Sequence, residues 1–415
     1  MVRIQAVPCE TSERPIAVYD YIIIGGGIVG LSTAWQLQQH QAQARILVLE
    51  KEREVGTHQT GRNAGVIHAG IYYEPGSLQA AFCHRGVEAT MAFCRQQNIP
   101  HQQCGKLLVA TNDAELARME TLFERCQQND PTTRLLDAAE LRGQEPLVTG
   151  KGAIFSPRTG IVDYREICAA MAKLFRADGG QLHCGERVSG IEEQDAHVTV
   201  RTEAERYECR FLIACSGLMG DRLARMQGID IDFKLIPFKG EFYRIDPKLA
   251  SGINHLVYPI PDPALPFLGV HLTRRINGDV IVGPNAVLTL DREGYDKHAF
   301  NFNDASEMLC YPGFRKLISK NMGAGLSELT TSLFKFAYVR HVRKYLPAIT
   351  AADLQAYPPG IRAQPVTRDG NMISDFLFAG SPRSLHVCNA PSPAATAAIP
   401  IGEHISKVVL ERSPQ

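Results

Sequence analysis

The chain has 415 residues, 45% hydrophobic and 21% charged, and its 44 Lys and Arg balance 44 Asp and Glu. That length is enough for two or three domains with a large core, and the zero balance removes any general electrostatic drive toward nucleic acid. Eleven scattered cysteines form no metal-like CxxC pair and no compact framework, so no metal site is expected. The N-terminus has no apolar signal stretch, which with free thiols favours a cytoplasmic location. No apolar run reaches the roughly 18 residues of a membrane span, while peripheral attachment at the inner membrane stays open.

Residues 1–17 read as a loose leader. Tyr19-Asp20-Tyr21-Ile22-Ile23-Ile24 is an apolar run stopped by three glycines, the pattern of a buried parallel strand. A helical pattern follows, with Leu31, Ala34 and Trp35 on one face. Ile46-Leu47-Val48-Leu49 then forms a second buried strand ending at Glu50. This is a βαβ unit at the start of the folded chain. Gly56 to Gly76, rich in Gly, His, Asn and Thr, reads as a functional loop. Helices are predicted over Leu78–Gln97, Asp113–Cys126 and Tyr164–Ala177. Strands are predicted near Lys106–Ala110, Gln181–Cys184, Val188–Glu192, His197–Thr202 and Glu208–Cys215.

From Ile229 to Val287 short strands alternate with Pro and Gly, as in Phe242–Ile245, Leu268–Leu272 and Val280–Val282. That alternation predicts a second domain on a largely antiparallel sheet. A more helical stretch runs to about Ile349, and the last part returns to loops and a terminal helix. The fold class is therefore α/β, α+β overall: a Rossmann-like domain of segments 18–95, 150–228 and 355–415, and a second domain of 96–149 and 229–354 on a mixed sheet.

Gly25-Gly26-Gly27-Ile28-Val29-Gly30 matches GxGxxG between a strand and a helix, the context that makes the motif specific. Gly25 permits the turn, Gly27 the approach of a pyrophosphate, and Gly30 the packing of helix on strand. Glu50, twenty positions after Gly30, can accept from both ribose hydroxyls and disfavours a 2′-phosphate. One N-terminal copy of the motif favours FAD over NAD. A second approach to the cofactor is the apolar strand Phe211–Ala214 running into Cys215-Ser216-Gly217, for which an ordinary core strand is the equal alternative.

The stretch Arg62-Asn63-Ala64-Gly65-Val66-Ile67-His68-Ala69-Gly70-Ile71-Tyr72-Tyr73 resembles the flavin-loop signature of the L-2-hydroxyglutarate dehydrogenase/oxidase family, within the D-amino-acid-oxidase-like flavoproteins. Four further stretches agree: Val257–Pro263 continuing through Pro266–Thr273, Val282–Val287, Gly360–Gln364, and Asn389–Thr396. Arg274-Arg275 departs from the Pro-Arg of relatives, with Arg275 the retained position. The resemblance implies FAD, and oxidation of L-2-hydroxyglutarate to 2-oxoglutarate by hydride transfer from C2 to flavin N5. Electrons then pass to a membrane quinone or to oxygen. Cofactor contacts are expected from Gly25, Gly27, Ile28, Val29, Gly30, Glu50, Lys51, Arg62, Asn63, Gly65, Val66, His68, Val188, Ser216, Gly217, Arg362 and Asn389-Ala390-Pro391-Ser392-Pro393-Ala394.

A dicarboxylate with a C2 hydroxyl needs a base and two cations. Histidine is the natural base, and arginine binds carboxylates through its planar fork. His68 in the flavin loop and His271 in the strand Leu268–Leu272 are the candidate bases, although a loop histidine is often only positional and a strand histidine usually a core residue. A covalent flavin link through His68 is a lesser reading. Arg275, Arg362 and Lys239 are the candidate carboxylate ligands, against a base rate in which most of the 44 Lys and Arg lie on the surface. Tyr258 shapes the pocket or merely packs. Asn389–Thr396, leading to a helix start at Ala394–Ala398, would aim a helix N-terminus at the flavin. The alternatives are an amino-acid or amine oxidase, a glycerol-3-phosphate oxidase, and a non-catalytic flavin-binding scaffold. Met308, Leu309, Phe314, Leu317, Ile318 and Leu326, within Phe300–Leu333, form either a lipid-facing patch or, as the favoured reading, core packing.

Overall fold

The computed structural model describes residues 18–262, 269–320 and 335–412. The expected leader 1–17 and Leu326 lie outside the described residues. Strand β1 (Val18–Ile24) is followed by helix α1 (Ile28–His40) and strand β2 (Ile46–Glu50). β1 pairs in parallel with β2 on one side and with Arg206–Ala214 on the other. Gln181–Cys184 extends the parallel set beyond β2, and Ser384–Asn389 pairs in parallel with Leu212–Ala214. Val188–Glu193, Val198–Thr202 and Leu377–Ser381 add antiparallel strands, giving a sheet of eight.

β1 is buried on both faces, which explains its unbroken apolar run. Tyr21 and Ile23 enter a core shared with α1 and helices Leu78–Gln96, Tyr164–Ala177 and Ala398–Arg412. Ile22 and Ile24 pack on the other face with Leu47, Leu49, Val198 and Val200. The terminal helix lies close on α1: a Cβ at Gly402 would stand 2.4 Å from Ser32 Oγ.

A second sheet of nine strands is mixed and largely antiparallel, as expected. Its spine is the long pair Phe233–Ile245 and Leu354–Thr367, antiparallel throughout. The single parallel contact among its described pairs joins Leu256–Pro259 to Lys106–Ala110. Two expected boundaries move. Strand Gly152–Ser156 pairs with Lys106–Ala110, and Leu354–Thr367 pairs with Phe233–Ile245, so both belong to the second sheet and not to segments 150–228 and 355–415 of the first. Their apolar patterns suit either sheet, and only long-range pairing decides. Phe242–Ile245 is the end of a strand that begins at Phe233; of the strand expected at Leu268–Leu272, Leu268 lies outside the described residues and the rest meets the strand His271–Arg274.

Within the stretch 300–333, Met308, Phe314 and Leu317 are buried against Ile236, Phe238 and Val366, so these three are core. Phe300, Phe302 and Leu309 are exposed. No helix among the described residues is long and apolar enough to cross a membrane.

Candidate active site

One cavity of about 830 Å³ runs between the two sheets, lined at one end by the glycine turn and at the other by His68, Tyr72, Tyr258, His271 and Arg362. The glycine turn is built from the residues that the motif requires. Gly25 sits at φ +112°, a region closed to most side chains. A Cβ at Gly30 would lie 2.0 Å from the Gly25 carbonyl oxygen, so only glycine lets α1 approach β1. A Cβ at Gly27 would meet only Thr60 Oγ1, at 3.4 Å. The protein itself leaves that space free, on the cavity side of the turn.

The first amides of a helix have no intrahelical acceptor. Thr60 Oγ1 accepts from Ile28 N at 3.0 Å, and Gly27, Ile28 and Val29 line the cavity. Glu50 accepts from Gly26 N at 2.7 Å and from Glu52 N at 2.9 Å, one bond on each carboxylate oxygen. Each oxygen retains a second lone pair for a ribose hydroxyl. Lys51 lines the cavity with its ammonium on Glu52 and Glu293, and the Arg62 guanidinium lies 3.8 Å over the Tyr295 ring. A free volume beside Gly27, a helix N-terminus and a ribose-competent carboxylate together fit the adenosine diphosphate half of FAD.

The flavin loop is held by its own polar groups. Asn63 Oδ1 accepts from Gly65 N at 2.8 Å, and Asn63 Nδ2 donates to Thr60 O at 2.7 Å. Val66–Ile67 pairs with Gly160–Val162. Tyr164 donates its hydroxyl to Val66 O at 2.9 Å and stands 2.9 Å from Thr396 Oγ1, which accepts from His68 N at 3.0 Å. The Cys83 thiol donates to His68 O at 3.0 Å. Thr60, Tyr164 and Thr396 thus set the loop, and sequence reasoning gave none of them a role: Thr396 entered only as the end of the stretch Asn389–Thr396, and Tyr164 only as the start of a helix. A hydroxyl acting through one backbone contact carries no spacing signal.

At the far end, His271 Nδ1 lies 2.9 Å from Gly269 O. A carbonyl only accepts, so Nδ1 carries the proton and Nε2 keeps the lone pair. The His271 ring stacks on Tyr258 with centroids 3.8 Å apart. Burial holds both His68 and His271 neutral, each pushed down to about 3, and nearby Lys106 and Arg362 add to the effect. His68 Nδ1 has no hydrogen-bond partner among the described residues. A buried polar atom of that kind is suited to a bound molecule.

The structure separates the expected site residues into two groups. Gly25, Gly27, Ile28, Val29, Glu50, Lys51, Arg62, Asn63, Gly65, Val66, His68, Val188, Ser216, Gly217, Tyr258, His271, Arg362 and Asn389–Ala394 all line the cavity. Gly30, expected both to pack helix on strand and to contact the cofactor, does not line the cavity and serves packing, because its Cα faces the Gly25 carbonyl. Lys239 and Arg275 do not line it. Lys239 alternates with Gly240 on the strand, so Gly240 faces the cavity while Lys239 Nζ donates to Asp296 O at 2.6 Å. Arg275 leaves the end of its strand and donates to Asn63 O at 2.6 Å, bracing the flavin loop. Arg274, beside it, donates to Ile253 O and Asn254 O. The helix expected from Ala394 begins at Ala398, so turn residues 392–396 line the cavity. Lys106, wholly buried behind Tyr72 and Tyr258, was not anticipated.

Comparison with known proteins agrees with this geometry. The FAD dependent oxidoreductase family (DAO) matches residues 20–408. The chain is 53% identical to the L-2-hydroxyglutarate dehydrogenase of Escherichia coli (strain K12), over 94% of this chain and 93% of that protein. It is 40% identical to the mitochondrial L-2-hydroxyglutarate dehydrogenase of Homo sapiens, over 95% and 89%. Among solved structures it resembles dithionite-reduced L-alpha-glycerophosphate oxidase from Mycoplasma pneumoniae with FAD bound, with TM-score 0.76 and 22% identity over 95% of each chain. That likeness shows the fold. The chain belongs to the L-2-hydroxyglutarate dehydrogenase family of FAD-dependent oxidoreductases, and its cofactor is FAD.

Proposed function

We propose that this chain oxidises L-2-hydroxyglutarate to 2-oxoglutarate. The observation that carries this reading is the convergence of two neutral imidazoles with Arg362 at one end of a cavity whose other end fits a dinucleotide. FAD held by the glycine turn and Glu50 would supply the two-electron acceptor for the C2 hydride. The chain's own residues do the rest. Arg362 binds a substrate carboxylate through its fork. His271, with its proton fixed on Nδ1 by Gly269 O, takes the hydroxyl proton at Nε2. His68 hydrogen-bonds the substrate and holds C2 in place. An imidazole pushed down to about 3 is a weak base. The substrate's carboxylates compensate, because nearby negative charge favours the imidazolium.

His68 speaks against a purely structural flavin scaffold, since its buried Nδ1, without a hydrogen-bond partner among the described residues, is costly unless a polar ligand meets it. Electrons leave to a quinone or to oxygen. Anaerobic addition of L-2-hydroxyglutarate to the yellow holoprotein tests the main step. Flavin bleaching with 2-oxoglutarate formed, and none with the D enantiomer, is the expected result. Bleaching by glycine or glycerol 3-phosphate instead would remove the hydroxy-acid assignment. Oxygen uptake against quinone reduction then separates the two acceptors.

A further inference from the structure

Lys106 begins the strand Lys106–Ala110 and is wholly buried, and its Nζ has no hydrogen-bond partner among the described residues. The ammonium lies 4.7 Å from the Tyr72 ring centroid and 5.3 Å from that of Tyr258. Both tyrosines line the cavity, and Lys106 does not. The order is therefore cation, aromatic wall, cavity, with Tyr258 also stacked on His271.

Burying an ammonium without an anion is expensive, and contact with two aromatic faces offsets only part of the cost. The groups that act on Lys106 supply no negative charge. Burial keeps the thiols of Cys83 and Cys126 protonated, pushed up to about 12 and about 11. His68 and His271 are neutral, and Arg362 has the same sign as Lys106. Burial accordingly pushes the Lys106 amine down to about 8.

The acids that line the cavity stand at its other end. Glu50 holds Gly26 N, Glu186 N binds Glu50 O, and Glu293 pairs with Lys51. Beside the imidazoles, the described residues present two cations, Arg362 and Lys106. Arg362 alone would match a monocarboxylate.

We infer that Lys106 is a specificity-determining residue, a fixed positive charge behind the Tyr72–Tyr258 wall that makes the cavity select a dicarboxylate over a monocarboxylate. This rests on the 2-hydroxy acid reaction proposed above and names what sets its substrate class. A field acting through packed rings is not screened by water or salt as a surface charge is. Binding a second carboxylate also favours the protonated amine, so at pH 8 a dicarboxylate draws a proton from the buffer and a monocarboxylate draws less.

The test uses the holoenzyme and Lys106→Met. The substrates are L-2-hydroxyglutarate and its C5 amide, which keeps the shape and loses one charge. The ratio of kcat/KM for acid over amide should fall about 10- to 100-fold, the effect of one charge at roughly 6–8 Å in an effective dielectric of ~20. A ratio unchanged in Lys106→Met, with both substrates slowed alike, would mean a structural role only and overturn the inference. Should that variant fail to fold, calorimetry of glutarate and valerate binding to the wild-type holoenzyme in two buffers of different ionisation heat decides. Greater proton uptake with glutarate supports the inference, and equal uptake overturns it. Absence of flavin reduction by L-2-hydroxyglutarate would remove the proposed reaction, whereas the glutarate–valerate comparison would still judge Lys106.

Discussion

Asp221 and Arg292 form a buried bidentate ion pair, with Nη1–Oδ1 at 2.5 Å and Nη2–Oδ2 at 3.1 Å. Asp221 lies in the first turn of the helix Gly220–Met226, which packs on Ser384–Asn389 of the first sheet; Arg292 lies in the loop that follows strand Val287–Leu288 of the second. Asp221 also accepts from Leu235 N at 3.0 Å. The pair therefore ties the two layers together behind the cavity. Removing Asp221 takes the bidentate partner from buried Arg292 and leaves it, among the described residues, only Glu307, at 3.9 Å, as a counter-ion, so Asp221→Ala should cost about 3–5 kcal/mol of stability. Replacing both, as Asp221→Leu with Arg292→Met, should recover most of that loss. Denaturation of the holoproteins measures both, and a single-variant loss below ~1 kcal/mol would show that the pair does not anchor the layers.

Gly27 and Gly30 share one motif and should respond differently. Gly30→Ala drives a methyl into the Gly25 carbonyl, so the fold itself should weaken with or without cofactor. Gly27→Ala meets only Thr60 Oγ1 at ordinary contact distance, so apoprotein stability should change by less than about 1 kcal/mol. FAD affinity should nevertheless fall about 10- to 100-fold, or ~1.4–2.8 kcal/mol. Titrating the apoproteins with FAD separates the two glycines. Unchanged affinity in Gly27→Ala would mean that the pyrophosphate does not pass there.

These glycines were legible in sequence because strand, turn, helix and Glu50 follow one another within a single local unit. His68 and Arg362 were legible through family signatures. The failures share a different cause. Lys239 and Arg275 sit beside legible motifs, and whether a side chain faces the cavity depends on strand alternation and on where each strand ends. Lys106 was invisible because a lysine before Leu-Leu-Val-Ala reads as an exposed strand end. Only the pairing of that strand with Leu256–Pro259 and Gly152–Ser156 encloses it.

The buried histidines predict a pH dependence of stability. His68 and His271 are pushed down to about 3, and His386 to about 4, in each case chiefly by burial. Between pH 6.5 and about 4 the unfolded chain holds a proton at each site that the folded chain does not. Stability therefore rises with pH across that window and is lost as pH falls. Wild-type protein should be less stable at pH 5 than at pH 7, and His271→Gln should lose less over the same interval. Urea midpoints at the two pH values measure this. An identical loss in wild type and variant would indicate that His271 is not held neutral by the fold.

Arg275 and Arg362 looked equivalent in sequence, and the structure gives them opposite tasks. Arg275 braces the Asn63 carbonyl and so the flavin loop, while Arg362 lines the cavity on a strand whose Gly360 passes close to Arg62 O. A Cβ at Gly360 would stand 2.2 Å from that oxygen, which fixes the strand, and with it Arg362, against the loop. Arg275→Met should weaken FAD retention and leave KM for L-2-hydroxyglutarate near wild type once FAD is in excess. Arg362→Met should lower kcat/KM about 30- to 100-fold through loss of a charge-assisted hydrogen bond of ~2–3 kcal/mol. Steady-state kinetics with and without added FAD resolves the pair. A rise in KM for Arg275→Met that excess FAD does not correct would put Arg275 on the substrate after all, and would require the hairpin that carries it to turn toward the cavity when the substrate binds.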